Sequence, residues 1–219
     1  MIDSGLYDYT EHIKDVFGSQ YKRESIKTIT FVGSDGDLEV GEGAWDISER
    51  RDGGVMAWVT PAEDGLYRLF IGCKGKCIVD NCEHIFDGYT QAEEIALNGL
   101  LNTESVKNMG WMFAHCPALT RLDLSGMNTS AVETMHCMFY DCTSLKSLDV
   151  SGFDTEKVRK MYGMFHTCES LTSLDLGGFD TSKTEEMDGM FDGCGSLQYL
   201  NVSSFDTVQV NDMCGMFSG

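Results

Sequence analysis

The chain has few prolines, and it lacks long apolar runs. Only 2 of its 219 residues are proline, whereas 42% are hydrophobic, so the composition favours an ordered chain with a continuous core over a disordered one. No segment approaches the roughly 20 consecutive apolar residues that a membrane-spanning helix needs. The first five residues, Met1–Gly5, also lack the basic start and apolar stretch of a secretory signal.

Basic residues are scarce as well. The chain contains 16 Lys and Arg against 35 Asp and Glu, a formal net charge of −19. Phosphate backbones and anionic membrane surfaces would be repelled by this charge, because their binding depends on neutralisation by Lys and Arg. We therefore predict that this chain neither binds nucleic acid nor inserts directly into a membrane.

Catalytic and cofactor motifs are missing too. The five histidines occupy unrelated positions, and none lies beside a serine or cysteine in a recognisable nucleophile motif. No glycine-rich phosphate loop follows a predicted strand. The sequence therefore predicts a protein that is not an enzyme, with no catalytic residues, no cofactor and no assigned metal ligand.

Met-Phe pairs recur along the chain with a fixed spacing of 26 residues. Such a period predicts an array in which each unit buries its apolar face by stacking on the next, and arrays of this kind usually serve as surfaces for binding. The pairs are Met112–Phe113, Met138–Phe139, Met164–Phe165, Met190–Phe191 and Met216–Phe217.

Each unit contains a strand pattern followed by a helix pattern. In one unit Leu145, Leu148 and Val150 give L-x-x-L-x-L, which is typical of a leucine-rich-repeat strand. Asx-Thr pairs follow the strands, as at Asp154–Thr155, and predict a helix N-cap. An apolar stripe then predicts a helix of about three turns, with Val158, Met161, Met164, Phe165 and Cys168 on one face.

Glycines recur inside this predicted helix at positions 163, 189 and 215. Because glycine destabilises a helix interior, we interpret their recurrence as a close approach of neighbouring coils that leaves no room for a side chain.

These patterns predict an α/β solenoid, a leucine-rich-repeat-like right-handed coil of short parallel strands and helices. Residues 85–219 form about five coils, the last one incomplete, and residues 1–84 form a small β-rich N-terminal capping domain. In that domain we predict strands at Ile26–Val32, Val55–Val59 and Leu66–Ile71, a hairpin turn at Pro61–Gly65 and a short helix at Tyr9–Phe17. An uncapped last coil predicts a longer native protein or end-to-end self-association.

The unit from Leu148 to Leu171 closely resembles the 26-residue repeat of BspA-like and Listeria-lipoprotein-type bacterial surface proteins. The segments Gly43–Asp46 and Gly54–Trp58 also resemble the domain that precedes such repeats. The resemblance implies a leucine-rich-repeat-like solenoid on a secreted or surface-attached protein, often with an adhesive or unknown role, and it implies no catalytic residues. We therefore expect an extracellular or cell-surface location, with the signal and anchor absent from this fragment.

The nine cysteines fall into two groups. Cys116, Cys142, Cys168 and Cys194 share one position of the repeat, and we interpret them as a ladder of small buried thiols. Cys73, Cys77 and Cys82, followed by His84, leave three alternatives open. They are a metal site, a disulfide between Cys82 and either Cys73 or Cys77, and free thiols on a β-ribbon.

The outward positions of the predicted strands are the candidate binding residues. They present variable side chains between fixed inward ones, and a column of carboxylates is among them. Those carboxylates either accept backbone amides of the following turn, pair with nearby basic groups, or bind calcium. The candidates are Arg121, Asp123, Lys146, Asp149, Thr172, Asp175, Gln198 and Tyr199.

From these residues we predict a non-catalytic adhesion-type module. Its partner would be a host or bacterial surface protein or a glycan. The alternatives are a structural spacer and a calcium-binding repeat.

Overall fold

A computed structural model describes residues 17–219, and in this range the chain is built from strands and turns. The only helical segments there are single 3-10 turns at Arg23–Ser25 and Glu63–Gly65. The helix predicted at Tyr9–Phe17 lies outside the described residues, except for Phe17, which is in a turn. The strands are β1 (Ile26–Ser34), β2 (Trp45–Asp46), β3 (Val55–Pro61), β4 (Tyr67–Lys74), β5 (Cys77–Ile78), β6 (Glu94–Ala96), β7 (Leu101–Asn102), β8 (Arg121–Asp123), β9 (Ser173–Asp175) and β10 (Tyr199–Asn201).

The largest sheet is mixed and has six strands in the order β2-β3-β4-β1-β6-β8. The three strands predicted in the N-terminal region are confirmed as β1, β3 and β4, and β3 and β4 form the predicted antiparallel hairpin. Strand β1 pairs in parallel with both β4 and β6, so the sheet continues from the N-terminal strands into the repeats. The proposed domain division at residue 84 stays a prediction.

The predicted α/β solenoid is wrong, because the fold is β-rich with mixed sheets and contains no α-helix in residues 17–219. The segment predicted as a helix consists of successive turns. The Met164 N–H donates to the Met161 carbonyl, and the Cys168 N–H donates to the Phe165 carbonyl, both at 3.2 Å. Turns that close over three residues place apolar side chains three apart, and this spacing imitates the period of a helix.

Between these turns, N–H groups donate to the next repeat rather than within their own. The Cys137 N–H donates to the Tyr162 carbonyl, and the Gly163 N–H donates to the Asp188 carbonyl, both at 2.9 Å. Such bonds form four rows, which begin at the N–H groups of Cys82, His84, Phe86 and Gly88 and run to residues 212, 214, 216 and 218. In every row the donor precedes the acceptor in the chain, so the peptide dipoles of each row point the same way.

The row that begins at His84 requires a left-handed backbone in each repeat. The φ angle is 56° at His84, 57° at Trp111 and 52° at Cys137. The same position is glycine in the later repeats, with φ of 59° at Gly163 and 58° at Gly189. The predicted close approach of neighbouring repeats is confirmed at Gly163, where a β-carbon would lie 3.0 Å from Cys137 Sγ, but not at Gly189, where the nearest atom, His166 Cδ2, would lie at an ordinary 3.6 Å. At both positions the left-handed φ also favours glycine.

The phenylalanines of the Met-Phe pairs form the core of the repeats. Rings one repeat apart lie parallel with centroids 5.5–5.8 Å apart, which is the distance of stacked aromatic pairs. Phe86 extends the stack toward the N-terminal strands, 5.5 Å from Phe113. Five of the six rings in this stack are buried, whereas Phe217 at its end is 61% exposed.

Asx-Thr pairs connect the repeats instead of capping helices, so the helix N-caps predicted there are wrong. The Asp154 carboxylate accepts the N–H of Glu156, which closes a turn. The adjacent threonine reaches the next repeat, since the Thr155 hydroxyl donates to the Asp180 carbonyl at 3.0 Å and accepts the Asp180 N–H at 2.8 Å. Equivalent pairs of bonds are made by Thr103, Thr129 and Thr181.

Candidate functional site

The predicted binding residues lie at and beside the strands of the repeats. Their positions follow the 26-residue period, so the structure brings them together in successive repeats along what we call the strand face. Arg121 and Asp123 are in β8, Asp175 is in β9, Tyr199 is in β10, Thr172 and Gln198 immediately precede β9 and β10, and Lys146 and Asp149 flank the isolated bridge from Ser147 to Ser173.

Backbone amides of the following turns hold the carboxylates of the strand face. Asp123, Asp149 and Asp175 accept the N–H two residues later at 2.9–3.0 Å. Hydrogen bonds from Ser151 hold the pKa of Asp149 below its usual range. At Asp123 slight burial would raise the pKa, but the bonds from Ser125 and Asn98 outweigh it and lower the pKa. The turn-amide alternative is thus confirmed for these carboxylates.

The remaining side chains of the strand face differ in how much they are free to bind. The Arg121 guanidinium donates to Glu94 at 2.7 Å, and the Thr172 hydroxyl donates to the Lys146 carbonyl at 3.3 Å. Tyr199 is 54% exposed, whereas Tyr140 and Tyr162 of the earlier repeats are half-buried. Tyr199 therefore presents an aromatic surface to solvent, the type of side chain that often anchors binding partners.

A cleft opens on the strand face between β8 and residues 147–153. Strand β8 pairs with β6, and β9 pairs with β10, but among the described residues no ladder joins β8 to the strand-like segment of the next repeat. The walls of the cleft carry the half-buried Leu122 and Leu124 and the carboxylates of Asp123 and Asp149. Arg121 lines its continuation. The interruption of the ladder thus creates a concave surface at the predicted site.

The cysteine ladder consists of buried thiols that bond to the previous repeat. The thiols of Cys116, Cys142, Cys168 and Cys194 donate to the carbonyls of Phe86, Phe113, Phe139 and Phe165 at 3.1–3.3 Å. Burial raises the pKa of Cys116 to about 12 and that of Cys194 to about 11. The thiols are therefore protonated at neutral pH and unreactive.

The cysteines of the N-terminal region pair differently from either predicted disulfide. Cys73 and Cys77 form a disulfide between the end of β4 and β5, and Cys82 is a free, buried thiol. The alternative in which Cys82 forms a disulfide is wrong, because Cys73 and Cys77 bond to each other. Among residues 17–219 no group of three or more His, Cys, Asp or Glu side chains is arranged to hold a metal ion.

The sequence reasoning missed a cluster of aromatic and histidine rings around Asp87. Trp111 stacks on His84 at 5.8 Å and on His115 at 5.6 Å. The Asp87 carboxylate is buried and lies 2.6 Å from Nδ1 of His84 and 2.8 Å from Nδ1 of His115. Burial would raise the pKa of Asp87, but the bonds with His115 and His84 outweigh it and lower the pKa. The bond with Asp87 raises the pKa of His115, against an opposing effect of burial.

We expect the free energy of unfolding to fall as pH rises through the folded-state pKa of His115. A raised histidine pKa gives stabilisation that is complete below the unfolded value of about 6.5 and is lost above the folded one. His136 contributes the opposite slope, because burial lowers its pKa. Urea unfolding of wild type and His115→Gln between pH 5.5 and 8.5 isolates the contribution of His115 to the pH dependence of the free energy of unfolding. The same slope of this free energy against pH in both proteins would contradict the expectation.

Two segments of the chain, residues 80–199 and residues 169–219, match a protein family described as Mycoplasma protein of unknown function, DUF285. Together they span residues 80–219, more than half of the chain. The chain belongs to this family. No curated protein and no solved structure shows significant similarity to it.

The DUF285 family is associated with surface proteins, which supports the predicted relationship to surface proteins in general. Membership of this family does not show that the repeats are leucine-rich repeats. That prediction is wrong, as is the predicted solenoid. Within residues 17–219, the structure contains no helix with the length and apolar character of a membrane span.

Proposed function

We propose that this DUF285 chain is a non-catalytic binding module of a BspA-like protein that is secreted or attached to the bacterial surface. Its strand face, from Arg121 to Tyr199, would bind a protein or glycan of a host or of another bacterial surface. The association of the family with surface proteins supports the location.

The cleft beside β8 is the observation on which the proposal depends. Binding sites are usually concave, with apolar walls and a few polar groups that fix orientation. The cleft combines Leu122 and Leu124 with Asp123 and Asp149, and Arg121 lies at its continuation. Other repeated polar groups, such as the Thr155 hydroxyl, are used in bonds between repeats. On the strand face, the exposed side chains of Lys146, Gln198 and Tyr199 are available to a partner.

The test is a screen against glycan arrays and host-matrix proteins, repeated with an Arg121→Ala/Tyr199→Ala variant. We expect the variant to lose binding by about tenfold or more, because exposed aromatic and arginine side chains supply much of the energy of interfaces. The matched control is Arg159→Ala/Val208→Ala. The Arg159 side chain is 62% exposed and paired with Glu185, much as Arg121 is 65% exposed and paired with Glu94, and Val208 is 82% exposed. Equal losses in both variants would contradict a binding role of the strand face.

A structural spacer is the second candidate, and the four rows of hydrogen bonds between repeats favour it. Bonds such as Phe139 N–H to the Met164 carbonyl at 2.9 Å recur in each repeat and would resist bending of the array. Absence of any ligand in the screen, with rigid elongated particles in X-ray scattering, would favour the spacer.

A further inference from the structure

One position of each repeat has a left-handed backbone, and this column of residues forms the floor of an open trough. In the early repeats this column carries Trp111 and Cys137, whereas in the later ones it carries Gly163, Gly189 and Gly215. Because glycine has no side chain, the backbone itself lines the later part of the trough. The floor thus changes along the chain from a tryptophan ring to glycine backbone, which is buried at Gly163 and half-buried at Gly189 and Gly215.

Aromatic rings form the walls of the trough at the end where the glycines begin. Tyr162 stacks on His136 with centroids 4.9 Å apart, and His166 stacks on Tyr140 at 4.6 Å. One repeat later, the positions of Tyr162 and His166 are Asp188 and Asp192, and all four side chains line the trough. Within residues 17–219 neither Tyr162 nor His166 has a ring partner on the side of the later repeats.

Carboxylates give the trough a negative character. Asp188, Asp192 and Asp212 line it, and no lysine or arginine of the described residues does. The His166 Nε2 atom lies 3.4 Å from the Asp192 carboxylate, which leaves Asp188 facing the trough from the other wall. The excess of 35 acidic over 16 basic residues in the chain adds a long-range attraction for cations.

A guanidinium group matches this combination better than other common ligand groups. It is planar and cationic, stacks on aromatic faces, and donates paired hydrogen bonds to carboxylates. A neutral sugar would also stack on the rings, but it would leave the negative charge of Asp188 uncompensated. An ammonium group would satisfy the charge without using the planar walls.

We propose that the trough over Gly163 and Gly189 binds the arginine side chain of a basic, extended peptide segment of a partner protein, with the guanidinium against Tyr162 and His166 and paired with Asp188 and Asp192. The site shares no residue with the strand face. The inference therefore goes beyond the proposed function, and each can fail without the other.

Titration calorimetry with the peptide acetyl-(Gly-Arg)3-amide tests the proposal on the full chain. We expect binding that weakens with salt, a loss of at least about tenfold when citrulline replaces arginine, and about fivefold when lysine does. Asp188→Asn and Asp192→Asn should each weaken binding about tenfold, whereas Glu169→Gln should not. Glu169 is exposed and does not line the trough, so it controls for the loss of one charge.

A thiol label provides a second test that requires no change of sequence. Cys214 is the exposed free cysteine and lines the trough, whereas the other free cysteines are buried. A bulky neutral maleimide should therefore attach at Cys214 and abolish peptide binding without changing the circular dichroism spectrum.

Several results would overturn the proposal. They are equal affinity for the citrulline or lysine peptide, unchanged binding after labelling of Cys214 or in both aspartate variants, and no binding of the arginine peptide. Displacement of the arginine peptide by a neutral oligosaccharide such as chitohexaose would assign the trough to sugars instead. None of these results bears on the Arg121→Ala/Tyr199→Ala screen.

Discussion

Replacing Phe165 with alanine is expected to lower the free energy of unfolding by about 3–5 kcal/mol. The ring is fully buried and lies between Phe139 at 5.6 Å and Phe191 at 5.8 Å. Its removal therefore leaves a cavity bounded by two rings that hydrogen bonds between repeats hold in place. Urea unfolding followed by circular dichroism measures the loss.

The matched control is Phe217→Ala at the end of the same stack. Phe217 contacts one ring, Phe191 at 5.5 Å, and is 61% exposed. Its truncation removes little buried area and should cost less than about 1 kcal/mol. Equal losses in the two variants would contradict the conclusion that mid-stack rings are covered on both faces.

The 26-residue period predicted which residues meet, but not the conformation that brings them together. Phe139 and Phe165 are neighbours because they occupy the same position in successive repeats, and this follows from the sequence alone. The helix prediction failed at Met161, Met164 and Cys168, whose spacing of three to four arises from separate turns. Hydrophobic periodicity does not distinguish a helix from a series of turns, because both return a side chain to the same face.

For the candidate sites too, the sequence pattern predicted positions but not the backbone conformation. The sequence placed Asp123 on the strand face, and a hydrogen bond from a turn amide to this carboxylate was one of the predicted alternatives that the structure confirms. It gave no sign of the cleft, which depends on a missing strand pairing. The trough had a signal in the alignment of Trp111 with Gly163 and Gly189. The recurring glycines predicted a close approach of neighbouring coils instead, because a left-handed backbone is not evident where other repeats carry Trp or Cys.

Thr155→Val is expected to lower the free energy of unfolding by about 2–6 kcal/mol, a large effect for a substitution that conserves the shape of the side chain. Thr155 is 2% exposed, and its hydroxyl both donates to the Asp180 carbonyl at 3.0 Å and accepts the Asp180 N–H at 2.8 Å. Valine fills the same space but leaves two backbone groups without partners, at about 1–3 kcal/mol each. Urea unfolding measures the cost, and amide exchange at Asp180 should accelerate.

Thr172→Val is the matched control, because Thr172 is exposed and its hydroxyl makes one bond, to the Lys146 carbonyl at 3.3 Å. We expect a loss below about 0.5 kcal/mol, since water replaces a bond lost at the surface. If Thr155→Val were as mild as this control, the threonine bonds would be incidental to stability. A large difference would mean that buried polar bonds, together with the phenylalanine stack, couple each repeat to the next. Coupling of this kind explains why a polar residue is repeated at a buried position.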